Sequence, residues 1–269
     1  MKMKQKWEEI KIELTTIEPL HIGGTSHILS DVHNPIVLLN GDIPAIPSTS
    51  LKGAWRAQIE RYLIEYLVDN NLLEKGEAKG LKPCIPSQSL TEDEQILFDK
   101  YRINKSVSRE GKTKFFSNPC NYDVKSDYIC PACYLLGAQT LHGFVRVPFL
   151  LPSKGQQEID TLLYSIREDR AKGGAAKGSN RGWYVVNPGI KFEGKLEILT
   201  KDELNGWEFG KKRVKLKYNR LDRWLDDPSW IVARIKKDLI KERLEAIQLL
   251  GGYKSKGCGR VEITVSFSS

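Results

Sequence analysis

Four of the five cysteines, Cys84, Cys120, Cys130 and Cys133, fall between residues 70 and 135. That stretch is rich in Gly, Pro, Ser and Lys and has little hydrophobic periodicity. A segment of this make-up buries too little apolar surface to fold without a staple. Cys130-Pro-Ala-Cys133 is a CxxC pair, and two thiolates at that spacing reach one metal ion from a tight turn. With Cys120 and Cys84 the segment offers the four donors of a structural zinc site; His142 or His33 could stand in for Cys84. Two other readings stay open. The four could be unpaired thiols, or the CxxC could be a redox pair, although a redox CxxC opens a helix after a strand in a βαβ unit and no such unit is apparent. Cys258, between two glycines, reads as a small packed residue.

The rest of the chain is periodic. Ile10, Ile12 and Leu14 alternate with Lys11 and Glu13, and Val261, Ile263, Val265 and Phe267 alternate with Glu262, Thr264 and Ser266. Each is the pattern of a strand with one buried face. A helix is expected from Ser50 as N-cap, carrying Leu51, Ala54, Trp55, Ala57, Tyr62, Leu63, Tyr66 and Leu67. A second is expected to open at Asp227-Pro228, to carry Ile231, Ile235, Leu239, Ile240, Leu244 and Ile247, and to stop at Gly251-Gly252. Further strands are expected over 143–151, 190–199 and 213–218. Antiparallel strands mixed with helices give an α+β sheet with helices on one face, and the ferredoxin-like arrangement is one such solution. With 40% hydrophobic residues the chain has enough apolar surface for a substantial core.

Charge narrows the function. The formal net charge is +8 and the pI about 9.1, which favours a polyanionic partner such as nucleic acid. No apolar run approaches the ~20 residues of a membrane-spanning helix, and the N-terminus lacks the apolar stretch of a signal peptide. The expected location is therefore the cytoplasm, with no membrane partner. Residues 167–189 are basic and glycine-rich, the composition of a long exposed hairpin loop. Residues 249–261 form a glycine-rich turn with Lys254, Lys256 and Arg260. Glycines let a backbone approach phosphate closely. Gly23-Gly24 after His21 is a second such turn. Lys52 and Arg56 occupy the first turns of the Ser50 helix, where amides favour phosphate; a solvated helix face would look the same.

These segments combine into a familiar pattern. Leu20-His-Ile-Gly-Gly24, Asn34-Pro35 and Ile46-Pro-Ser-Thr-Ser-Leu-Lys-Gly53 resemble the start of the RAMP superfamily, repeat-associated proteins of CRISPR systems. Its motif has two serines before Leu-Lys-Gly, and Thr49 stands at the first of them. Cys130-Pro-Ala-Cys-Tyr-Leu-Leu-Gly137 resembles the family's zinc element, which usually ends in Leu-Phe-Gly. Residues 251–261 resemble its C-terminal glycine-rich loop. Arg170 to Gly182, with Val186-Asn-Pro-Gly-Ile-Lys-Phe192, is similar to the thumb hairpin and following strand of type III backbone subunits. The closest likeness is to the Cas-seven-type subunit of Csm- or Cmr-like complexes.

The resemblance implies one RAMP domain over 1–269 on an RRM-like core, a zinc-binding insertion at 70–135 and a thumb-like β-hairpin at 167–189. It implies polymerisation along a CRISPR RNA whose sequence is read by base pairing alone. Implied partners are CRISPR RNA, target RNA, further copies of the chain, other RAMP subunits, a large type III subunit and a small helical one. Implied RNA contacts are His21, Gly23, Gly24, Ser50, Lys52, Arg56, Lys254, Lys256 and Arg260, with Lys172, Lys177 and Arg181 on the thumb. In active relatives an aspartate directly before an Asn-Pro-like pair promotes metal-dependent cleavage of target RNA. Here His33 holds that place and Asp31 lies two residues earlier. Asp31 is the first candidate, since it could hold Mg²⁺ or Mn²⁺ at the scissile phosphate, and His33 is an alternative acid or base. The competing readings are a non-catalytic scaffold, an end-capping RAMP subunit and a metal-independent repeat-processing endoribonuclease.

Overall fold

The computed structural model describes residues 4–24, 34–72, 80–84, 120, 129–166, 168–176, 181–213 and 221–267, together with the backbone of 103–107 and 113–117. Strand β1 (Gln5–Thr16) forms as its alternation requires. Ile10, Ile12 and Leu14 are fully buried, while Lys11 and Glu13 point the other way into an ion pair. β1 runs antiparallel to β14 (Val261–Phe267), with Ile12 opposite Val265 and Leu14 opposite Ile263. Both buried sets therefore share one face. The sheet order is β13–β12–β1–β14, where β12 is Lys191–Asp202 and β13 is Trp207–Glu208. The result is a mixed α/β protein with an antiparallel sheet.

The described chain packs as two compact units, and β1, β12 and helix α1 (Ser48–Asp69) contribute to each. The first unit comprises Met1–Glu8, Arg56–Arg146 and Glu197–Arg243. Here α1 buries Ile59, Leu63 and Leu67. Strands β4 (Ile103–Val107) and β5 (Thr113–Ser117) form an antiparallel pair. Helix α2 (Pro131–Leu136) is buried along its whole length, with Pro131 in the first turn, where a missing N–H costs nothing. β6 (Val145–Arg146) pairs with Ile198 and Glu197 of β12. The core beside them is aromatic: Tyr134 stacks on Phe144 at 4.5 Å and meets Trp224 edge-on at 5.2 Å. α3 (Val232–Arg234) passes through a π-helical stretch, Ile235–Lys241, into α4 (Glu242–Glu245).

The second unit comprises Glu9–Trp55, Val147–Leu196 and Leu244–Ser269. β7 (Leu151–Pro152) pairs with β12 at Glu193 and Phe192. β2 (Leu38–Leu39) and β3 (Ile43–Pro44) form a short hairpin. β8 (Asp160–Ser165) and β11 (Arg181–Val186) pair along six residues, from Asp160 opposite Val186 to Ser165 opposite Arg181. Between them, β9 (Glu168–Asp169) pairs with β10 (Gly174–Ala175).

Several local expectations need correcting. α1 starts at Ser48, because the Pro47 carbonyl already accepts from the Ser50 and Leu51 amides. Ser50 thus lies inside the helix rather than capping it. Residues 143–151 form two two-residue strands around Pro148, which cannot donate to a ladder. Asp227 does not N-cap the following helix; it closes the short 3-10 turn Arg223–Asp226, and its carboxylate accepts from the Ser229 amide. The helix accordingly begins five residues later, and Ile231 is 60% exposed. It also ends at Glu245, ahead of Gly251. Arg213, expected in a strand, sits in a buried ion pair, and 214–220 lie outside the described residues.

Candidate metal centre and basic loop junction

In the first unit, Cys84, Cys120, Cys130 and Cys133 come together. Their sulfurs all lie within 4.8 Å of one another and all four residues are buried. α2 sets half of this arrangement: Cys130 stands at its N-terminal boundary and Cys133 one turn on, with the Tyr134 amide donating to the Cys130 carbonyl. The Cys130 amide donates to Cys120 Sγ at 3.4 Å. All five cysteines are free thiols, although Cys84 and Cys133 approach to 3.4 Å. Four thiolates at about 2.3 Å around a tetrahedral zinc sit roughly 3.8 Å apart. The spacing, the burial and the all-sulfur donor set therefore fit a metal such as zinc. Of the alternative fourth ligands, His142 is exposed and stands outside the group, and His33 lies outside the described residues.

Arg56 of α1 reaches this cluster. Its Nη2 donates to Cys133 Sγ at 2.9 Å and to Cys84 Sγ at 3.3 Å, and its Nε donates to Glu60 Oε1 at 2.9 Å. Hydrogen bonds from Cys120, Cys130 and Cys133, outweighing burial and joined by the Arg56 charge, hold the Cys84 thiol well below its usual range. Burial pushes Glu60 up to about 7, against the pull of the Arg56 charge.

The second unit holds a different junction. The loop carrying Gly251 to Arg260 folds against the end of the Leu20-His-Ile-Gly-Gly24 segment: the Gly252 amide donates to the His21 carbonyl at 2.8 Å and the Gly259 amide to the Pro19 carbonyl at 2.9 Å. Gly251 has φ +78°, and a Cβ there would lie 2.3 Å from the His21 carbonyl oxygen. Only glycine fits this turn. Gly24 is fixed by close approach too, since a Cβ would fall 2.5 Å from the Ile36 carbonyl oxygen. The base of the β8–β11 hairpin joins them. His21 Nδ1 lies 2.7 Å from the Tyr184 carbonyl, and Leu20 bridges to Val186. Three segments far apart in sequence therefore meet at one place.

His21 itself is buried, its ring centroid 4.8 Å from that of Tyr253 and 6.0 Å from that of Trp183. Lys254, Lys256 and Arg260 are exposed; Lys256 lies over the Tyr253 ring at 5.0 Å and Arg260 is 3.7 Å from Glu18. Lys52 is exposed on α1 and Ser50 half-buried in its first turn. Lys172 and Arg181 are exposed on the hairpin. Lys177, Asp31 and His33 lie outside the described residues. Sequence reasoning passed over Trp183 and Tyr253, which pack at 4.6 Å. The signal was available: aromatics among Lys, Arg and Gly are the usual make-up of single-stranded nucleic-acid surfaces.

The first unit thus carries a buried four-thiol cluster that could hold a metal such as zinc, and the second a basic, glycine-rich junction, on a mixed α/β frame. The chain belongs to the RAMP superfamily, whose family model matches residues 13–262. Membership suggests a CRISPR-associated RNA-binding role, with CRISPR RNA and Cas complex subunits as partners in general. No curated protein matches the chain. Among the described residues, no helix is long and apolar enough to cross a membrane.

Proposed function

We propose that this chain is the repeating CRISPR-RNA-binding subunit of a type III interference complex, built on an RRM-like core. The observation that supports this best is the junction itself, where the glycine-rich loop, the Pro19–His21 segment leading into Gly23-Gly24 and the base of the hairpin converge. Lys254 and Lys256 stand exposed there, and exposed lysines beside close-packed glycines suit a sugar–phosphate backbone held without base readout. The β8–β11 hairpin, with exposed Lys172 and Arg181, is the candidate thumb that inserts into the guide–target duplex. In this role the chain partners further copies of itself, other RAMP subunits, a large subunit and a small helical one.

The test is salt dependence. Each lost phosphate contact lowers the slope of log affinity against log salt by a little under one. Replacing Lys254 and Lys256 together with alanine is expected to weaken guide RNA binding and flatten that slope by roughly one to two. An unchanged slope would remove the junction as the RNA site. Target cleavage is the finer part of the proposal and rests on Asp31, with His33 as alternative. With guide and target RNA loaded and Mg²⁺ or Mn²⁺ supplied, cuts at regular spacing should vanish in Asp31→Ala. A wild-type chain that leaves the target intact is a scaffold or an end-capping subunit.

A further inference from the structure

We infer that Arg56 serves the metal centre rather than the RNA: it is the positively charged positioning residue that sets the affinity of the four-cysteine site. The inference rests on reading Cys84, Cys120, Cys130 and Cys133 as that site. Position alone, four residues after Lys52 on α1, would make Arg56 a phosphate ligand. Its guanidinium instead faces inward. The side chain is 17% exposed, and one nitrogen, Nη2, donates to two of the four sulfurs, at 2.9 Å to Cys133 and 3.3 Å to Cys84. Nε, on the other side of the fork, donates to Glu60, itself 13% exposed. One turn of α1 thus presents a fixed cation to the cluster, oriented by the carboxylate at the next turn.

The chemistry gives this contact a purpose. A divalent ion held by four thiolates leaves two negative charges in excess, and burying that excess is costly unless a cation is near. Arginine is suited to the task because it stays charged and its planar fork can donate to sulfur and carboxylate together. N–H···S hydrogen bonds also fix the directions of the sulfur lone pairs. Partners of this outer kind change metal affinity by about 10- to 100-fold when removed.

The experiment measures metal, not activity. Cobalt(II) titration of the full chain reads the thiolate-to-cobalt absorption, and competition with a chromophoric chelator gives the zinc affinity. Arg56→Gln is expected to weaken zinc binding about 10- to 100-fold and to shift the cobalt band, while Arg61→Gln, an exposed charge on the same helix, changes neither. Should Arg56→Gln fail to fold, Arg56→Lys carries the test: it keeps the charge but cannot span sulfur and carboxylate, and should still lose several-fold in affinity. Wild-type affinity in whichever variant folds overturns the inference. If Arg56→Gln spares zinc but weakens RNA and flattens its salt slope, Arg56 is a phosphate ligand. If the wild-type chain takes up no cobalt or zinc, the metal centre itself is refuted and the inference falls with it, leaving the RNA proposal untouched.

Discussion

Arg213 and Asp222 show what one buried pair can demand of a fold. Both side chains are fully buried, joined by Nε and Nη2 to the two carboxylate oxygens at 2.8 and 2.7 Å, and the Arg213 amide adds a third bond to the same group. The guanidinium lies 5.0 Å from the Tyr134 ring centroid, 5.4 Å from that of Phe144 and 5.5 Å from that of Trp207. A bidentate pair in this setting offsets much of its desolvation. Removing one partner does not, because the other stays behind as an uncompensated charge. Asp222→Ala is therefore expected to destabilise the protein by about 3–5 kcal/mol, and chemical denaturation measures it. A loss under 1 kcal/mol would show that the pair is open to water. Nothing in the sequence announced this pair. Arg213 reads as one more base in a basic chain, and Asp222 as one more loop acid.

Among the elements, α1 carries the clearest message. Leu51, Trp55, Ile59, Leu63 and Leu67 recur every four residues and all are fully buried. Sequence periodicity picked out four of these five but also gathered in Ala57, which is exposed, and Tyr62 and Tyr66, which are half-buried. The two tyrosines belong to a separate polar-aromatic layer. Arg243 lies 4.6 Å over the Tyr62 ring, Tyr62 donates to Asp238, and Arg234 sits 4.1 Å over Trp230 and 5.3 Å over Tyr66. Apolar spacing cannot separate a core stripe from a cation–π flank, because tyrosine serves both. The distinction is measurable. Leu63→Ala should cost about 2–5 kcal/mol, whereas Val68→Ala, at a position 52% exposed, should stay within about 0.5 kcal/mol in the same thermal or denaturant assay.

For the molecule as a whole, the thiol cluster is the feature whose removal should reach furthest. Its four residues come from three stretches of chain, one of them 36 residues before the next, and a metal bound there stabilises the folded form by mass action. Stripping the metal under reducing conditions is expected to lower the thermal midpoint by on the order of 10 °C. It should also raise amide exchange at 80–84 and 129–137 before the β1–β14 ladder is affected. A metal-free chain with an unchanged midpoint would mean that packing alone holds the cysteines together. The sequence by itself determined the alternating strands at both ends, a long helix shortly after Pro47 and a cysteine segment with candidate soft-metal donors, while leaving the fourth donor open between Cys84, His142 and His33. Those are local matters, fixed by side-chain period, turn chemistry and the small set of residues that bind soft metals. Only the tertiary structure decided that Arg56 turns toward sulfur, that Arg213 finds Asp222, and that His21, Trp183 and Tyr253 share one junction. In each case the partner lies far along the chain or could have been any of several, and long-range pairing is settled by which groups can be buried together without leaving a charge or a hydrogen bond unmet.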